Sequence, residues 1–188
     1  MKKLLCILVV IIVAIVGIVM VSRVHSNREN NRSLVVYFSA TGNTAAVADR
    51  LANAIGAEAF AIAPADVYTA EDLDWKNDKS RSSVEMADRS SRPAITSHVE
   101  NLDQYNIVFL GFPIWWGREP SIVDTFLESH DFNGKTIVLF ATSGSTPTTA
   151  DAAENIRPIV PNATVIEGTR FPADVSADEL KTWAGEWL

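Results

Sequence analysis

The sequence predicts an α/β fold: a doubly wound, five-stranded parallel sheet in the order 2-1-3-4-5, with helices on both faces. Three observations predict it. Short apolar runs alternate with segments whose apolar residues recur at helical spacing, as βαβ units require. Three of the runs, at 34–38, 107–110 and 136–140, open into loops of small, polar or aromatic residues. Right-handed crossovers then leave few strand orders for such a chain.

The first strand, Leu34-Val35-Val36-Tyr37-Phe38, leads into Ser39-Ala40-Thr41-Gly42-Asn43-Thr44. A helix follows from Thr44, with Val47, Ala48, Leu51, Ala52 and Ile55 on one face and Gly56 as a left-handed stop. Residues 57–63 form a short second strand. A compact second helix would come next. The chain instead has a long charged stretch at 64–93, holding Tyr68, Asp72, Asp74, Trp75, Arg81 and Glu85. Loops of that length inside a small domain are usually functional or disordered, and the aromatic pair favours an ordered loop over the mouth of a site. The plainer alternative is a surface excursion anchored by two aromatics.

The strand at 107–110 opens into Gly111-Phe112-Pro113-Ile114-Trp115-Trp116-Gly117. A helix begins near Pro120, whose missing N–H costs nothing in a first turn, and buries Ile122, Val123, Phe126 and Leu127. The strand at 136–140 opens into Ala141-Thr142-Ser143-Gly144-Ser145. Next come a helix over 148–157, cut by Pro158, and a fifth strand at 163–169. Ser176 and Glu179 stand in capping-box spacing ahead of a last helix, whose Leu180, Trp183 and Trp187 form a core-facing stripe.

The amino-terminal residues are of another kind. After Met1-Lys2-Lys3, residues 4–21 are unbroken by charge and, as a helix, would span roughly 27 Å, close to a ~30 Å hydrocarbon core. The run reads as an uncleaved signal anchor. A cleaved secretory signal is the alternative, although its apolar part would be long and no Ala-x-Ala site succeeds it. Lys2 and Lys3 favour export of the domain, against Arg23, Arg28 and Arg32 on the far flank, and the balance leans to an extracytoplasmic placement. Residues 22–32 read as a polar linker and 33–188 as one domain of ordinary size.

That domain has no cysteine, which excludes disulfides, thiolate metal sites and cysteine nucleophiles there, phosphatases of the low-molecular-weight type included. Residues 1–32 carry a net +4, which leaves −11 for the domain out of the −7 of the whole chain. Such an acidic surface repels nucleic acid and suits a basic protein partner.

Ser39, Thr41 and Thr44 offer hydroxyls, Gly42 permits a tight turn, and the helix opening at Asn43-Thr44 presents free N–H groups to an anion. No Lys or Arg lies between 33 and 49, so a phosphate there would be held by hydrogen bonds and dipoles. The pattern is neither a Walker loop nor a dinucleotide fingerprint. Read alone, it is equally an ordinary Ser/Thr-rich helix cap. In the second loop, Trp115 and Trp116 can stack on an aromatic ring, and both cannot easily turn inward. The third loop offers Thr142, Ser143, Gly144 and Ser145 as small polar groups for the edge of a ring system.

The segments at 39–44, 111–117 and 141–144 together resemble the flavodoxin family, and residues 68–85 are similar to bacterial flavodoxin-type oxidoreductases. The resemblance covers nearly all of 33–188. It implies FMN, with Ser39, Ala40, Thr41, Gly42, Asn43 and Thr44 on the phosphate. Pro113, Ile114, Trp115, Trp116 and Gly117 would flank the isoalloxazine, and Thr142, Ser143, Gly144 and Ser145 would meet its edge or the ribityl chain. In the family a peptide of the second loop can rearrange when the flavin N5 gains a proton, and Trp116 or Gly117 would be its counterpart. The chain departs from the family in its apolar leader and in the lack of an aromatic residue in the third loop.

The implied function is electron transfer. The chain would act either as a carrier serving a redox partner protein or as an FMN-dependent reductase of small acceptors such as quinones, fed by NAD(P)H. The flavin carries the electrons, so no catalytic side chain is named. A membrane-tethered binding module without redox activity is a further reading. A hydrolase is disfavoured, since Ser143 lacks a nucleophile elbow and His98 and His130 are poorly placed to serve it.

Overall fold

The computed structural model describes residues 32–142 and 147–188. The apolar run at 4–21 and nearly all of the 22–32 linker lie outside the described residues; among those described, no helix is long and apolar enough to cross a membrane.

Five strands form one sheet: β1 (Ser33–Tyr37), β2 (Glu58–Ala61), β3 (Ile107–Phe112), β4 (Thr136–Ala141) and β5 (Thr164–Arg170). Their order is β2-β1-β3-β4-β5 and every neighbouring pair is parallel. The helices are α1 (Asn43–Ile55), α2 (Arg81–Ala87), α3 (Ser121–Glu128), α4 (Ala150–Ile156) and α5 (Ala177–Ala184).

Alternation along the strands divides the core in two, because successive side chains leave opposite faces of a pleated sheet. Leu34, Val36, Val108, Leu110, Ile137 and Leu139 pack with Ile122, Phe126 and Ile156 of α3 and α4. Val35, Phe109, Val138 and Phe140 pack with Val47 and Leu51 of α1 and Leu180 of α5. The central strand β3 is buried along its whole length, as a strand covered on both faces must be. Of the expected stripe, Leu180 is buried and Trp183, partly buried, lies against Phe109, Phe140 and Phe171, whereas Trp187 falls past the end of α5 and packs on Trp183.

Several boundaries differ from those the sequence suggests. β2 is shorter than 57–63, and α4 is shorter than 148–157 because Thr149 stands at its N-cap. β3 runs on through Phe112, so Gly111 lies inside the strand and not in the exit loop. A Cβ on Gly111 would sit 2.1 Å from Cζ of Phe140 on the neighbouring strand, and this close approach explains the glycine.

The 64–93 stretch is ordered by its own polar network. Ser80 caps α2 by accepting the Ser83 N–H. Tyr68, buried, donates to Glu85 Oε2 at 2.5 Å, while Arg81 reaches Glu85 Oε1 at 2.6 Å and lies 3.9 Å over the Tyr68 ring. Burial is the main cause that pushes the Tyr68 hydroxyl far above its ordinary range, and the Glu85 carboxylate adds to it. The segment is thus a short helix held between turns, where the sequence suggests only a loop.

Candidate functional site

The loops that leave β1 and β3 meet Thr142, the residue after β4, at the carboxyl end of the sheet. β1 and β3 are adjacent there while their following helices, α1 and α3, cover opposite faces. A ligand-sized crevice is expected at such a switch point. A cavity of about 810 Å³ occupies it. Ala40, Thr41, Asn43, Thr44, Pro113, Ile114, Trp115, Trp116 and Thr142 line this cavity, together with Leu73, Trp75 and Ser82 from the 64–93 stretch.

The first loop is folded by its own side chains. Ser39 Oγ accepts the Gly42 N–H at 3.1 Å, and Gly42, at φ +91°, turns the chain into α1. No side chain caps α1, and its first turn has no acidic residue. The free N–H groups of that turn are therefore open to an anion, with the helix dipole behind them. Ser39 and Gly42 shape this loop without lining the cavity. Thr44 and Thr142 are both buried and share a hydrogen bond of 2.9 Å between hydroxyls, which joins the first loop to the third. That bond occupies part of the hydrogen-bonding capacity of Thr44.

The second loop is a tight reversal. Trp115 N–H donates to Arg118 O at 2.9 Å and Arg118 N–H to Trp115 O at 3.0 Å. Trp116 at φ +47° and Gly117 at φ +86° occupy the two central positions, the backbone of a type I′ turn. Left-handed backbone is costly for a tryptophan, and such strain concentrates at functional sites. Trp115 leans edge-on against Phe38 and Tyr68, with ring centroids 5.7 and 5.5 Å away. Trp116 is 53% exposed. One indole is thus anchored and the other presented to solvent. Ser143, Gly144 and Ser145 lie outside the described residues.

Behind the turn stands a cluster that the sequence does not single out. Arg118, Glu119 and Asp124 are all buried, Glu119 completely. Arg118 Nη1 lies 3.1 Å from Glu119 Oε1 and 3.5 Å from Asp124 Oδ2, and Nη2 donates to Ser121 Oγ at 3.1 Å. Burial, reinforced by Asp124, pushes the Glu119 carboxyl up to about 7. Burial likewise pushes Asp124 up to about 6, against the pull of Arg118 and Arg92. Spacing alone could not mark these residues, because an Arg-Glu pair followed five positions later by Asp is ordinary on a helix surface.

His98 and His130 belong to the scaffold. His130 Nε2 accepts the Val99 N–H at 3.0 Å and Nδ1 lies 2.9 Å from Phe126 O, which identifies a neutral ring protonated at Nδ1. Burial holds it below its usual range. His98 stacks on it with centroids 4.4 Å apart. Among the described residues, no cluster of three or more His, Cys, Asp or Glu could hold a metal ion.

The family model described as Flavodoxin matches residues 32–187. Among solved structures, a candidate flavoprotein from Bacteroides eggerthii is 44% identical, with 84% of this chain and 98% of that chain covered and a TM-score of 0.78. A candidate flavoprotein from Bacteroides uniformis is 43% identical over 83% of this chain and 99% of that one, with a TM-score of 0.77. A flavoprotein from Lactobacillus acidophilus, solved in complex with FMN, shares the fold at 17% identity and a TM-score of 0.61, covering 82% and 99% of the two chains. No curated protein matches this chain.

Proposed function

Because this chain belongs to the flavodoxin family, we propose that it binds FMN in the cavity between the three loops and serves in electron transfer. The observation that carries this reading is the uncapped, cation-free start of α1 opening into the same cavity as Trp115 and Trp116. That combination matches a ligand with an anionic end and a flat aromatic end. The first-turn N–H groups and the Thr41 hydroxyl would hold the phosphate. Pro113, Ile114 and the two indoles would flank the ring system, and Thr142 would face its polar edge.

When bound, FMN supplies one- and two-electron chemistry. The residues of this chain orient it, exclude water from one side through Trp115, Phe38 and Tyr68, and present Trp116 at the rim. A flavin-dependent reductase of small acceptors such as quinones, supplied by NAD(P)H, is the second reading. The breadth of the cavity favours it, since Leu73 and Trp75 add a wall beyond the three loops. The apolar run at 4–21 supports a membrane tether, and Lys2 and Lys3 ahead of it support an extracytoplasmic domain against Arg23, Arg28 and Arg32 behind it.

The test is direct. Purified full chain mixed with FMN should quench the flavin's fluorescence and shift its absorption bands; unchanged spectra at high protein concentration would rule the reading out. Steady turnover with NADPH and a quinone, without a protein partner, would assign the reductase. Its absence from an FMN-loaded chain would leave the carrier.

A further inference from the structure

Resting on the FMN reading, we propose that Glu119 and Asp124, both in contact with the Arg118 guanidinium behind the 115–118 turn, form one proton-accepting pair. The pair takes up a proton from solvent when the cofactor gains an electron. The group is a positioning one: it touches the turn and not the flavin.

Three observations carry this. The first is charge. Arg118, Glu119 and Asp124 are 5%, 0% and 4% exposed, so a single buried cation faces two carboxyls. Arg92 also reaches Asp124, at 3.8 Å, but it is committed to Glu128 at 2.7 Å and is partly exposed. Placing both carboxylates there leaves excess negative charge away from water, which is costly, and one shared proton removes it.

The second is an unpartnered atom. Asp124 Oδ1 is buried and has no hydrogen-bond partner among the described residues. A bare oxygen is cheaper to bury on a neutral carboxyl than on a carboxylate. The third is position. Arg118 closes the turn that presents Trp116 through two backbone hydrogen bonds, and Glu119 follows it directly. From α4, Asn155 Nδ2 reaches Glu119 Oε2 at 3.4 Å, and Asp151 Oδ2 would lie 3.8 Å from a Cβ on Gly117. Arg89 and Arg92 act on Asp124 from the 64–93 stretch, and Glu128 from its own helix. A proton arriving at the pair therefore changes the field at the turn.

The coupling is reciprocal. An electron placed on a flavin beside Trp116 makes the surroundings more negative and raises the pair's affinity for a proton. A proton on the pair stabilises the reduced cofactor by the same amount. In the balanced step, an external low-potential donor is oxidised, the flavin is reduced, and a solvent proton forms one O–H bond on the pair. Reoxidation returns that proton to solvent.

The experiment uses the full chain in two states. Without FMN, infrared spectra across about pH 5 to 8 should show a carboxyl band that disappears as the pair ionises. The band should be missing or displaced in Glu119→Gln and in Asp124→Asn; should one variant not fold, the other carries the test. With FMN, a dithionite titration should give a midpoint potential that falls more steeply with pH in the wild-type chain than in either variant. Glu119→Asp should keep the steep dependence. Equal slopes in all chains, or a carboxyl band unchanged in both variants, would overturn the coupling. Failure to bind FMN would instead sink the parent reading and the coupling together, whereas equal slopes in an FMN-loaded chain sink only the coupling.

Discussion

Trp116 carries a left-handed backbone cost that Gly117 beside it does not, and its substitution should separate stability from binding. A tryptophan at φ +47° is held there by the paired Trp115 and Arg118 backbones, and half its surface faces solvent. Trp116→Ala should change folding stability by no more than about 0.5 kcal/mol, as exposed positions do. It should still weaken FMN binding about tenfold, the loss of one stacking contact of roughly 1.4 kcal/mol. Fluorescence quenching titrations of both chains measure this, and an unaltered dissociation constant would remove Trp116 from the site. Gly111→Ala should act the other way. Its Cβ would collide with the Phe140 ring inside the sheet, so unfolding should show a loss of about 1–3 kcal/mol from overpacking. The aromatic pair is legible in the sequence, because adjacent indoles cannot both be buried on one short loop. The positive φ at Trp116 is not, since no local propensity of tryptophan predicts it. Gly111 reads as a loop residue because glycine marks loops more often than close contact between strands.

The 64–93 stretch is the element that departs most from a minimal sheet-and-helix domain, and its role depends on Tyr68. That ring lies edge-on to both Phe38 and Trp115, while its hydroxyl meets Glu85. Tyr68→Phe should cost about 1 kcal/mol, the worth of one hydrogen bond, yet leave FMN affinity unchanged because the ring remains against Trp115. Tyr68→Ala should release Trp115 and weaken both folding and binding; if the two variants bound FMN alike, the Tyr68 ring would have no part in shaping the site. The regular elements are largely legible from period and punctuation. Strands β1, β3 and β4 stand out as apolar runs, α1 ends at Gly56 in left-handed backbone, and Ser176 caps α5 by accepting the Glu179 N–H. The short α2 is not legible. Arg81–Ala87 has only seven residues, and its order comes from Ser80, Tyr68 and Arg81 contacts that connect distant positions. Likewise Leu73 and Ser82 reach the cavity only through the path of this stretch, which no periodicity encodes.

For the molecule as a whole, the raised carboxyls imply an unusual response to pH. An ordinary paired carboxylate has a lowered folded-state value, and its contribution is lost on acidification. Glu119 is the reverse: burial raises it from 4.5 to about 7, so between those values the folded chain holds a proton that the unfolded chain has released. Its contribution is complete below about 4.5 and is lost as pH rises through about 7. Asp124, raised from 3.8 to about 6, works in the same direction. His130 opposes them. Its folded value is lowered chiefly by burial, so its contribution is present above 6.5 and is lost as pH falls. The wild-type profile is therefore a compromise, and the difference between chains is the informative quantity. Glu119→Gln cannot ionise, so its stability relative to wild type should improve as pH rises from about 5 to 8, by up to roughly 3 kcal/mol for a shift of this size. Urea unfolding of both full chains, monitored by tryptophan fluorescence at several pH values, gives the difference. A gap that stays constant over the interval would mean that Glu119 is ionised throughout, with Arg118 and Asn155 outweighing its burial, and the buried pair would then be a fixed salt bridge and not a proton site.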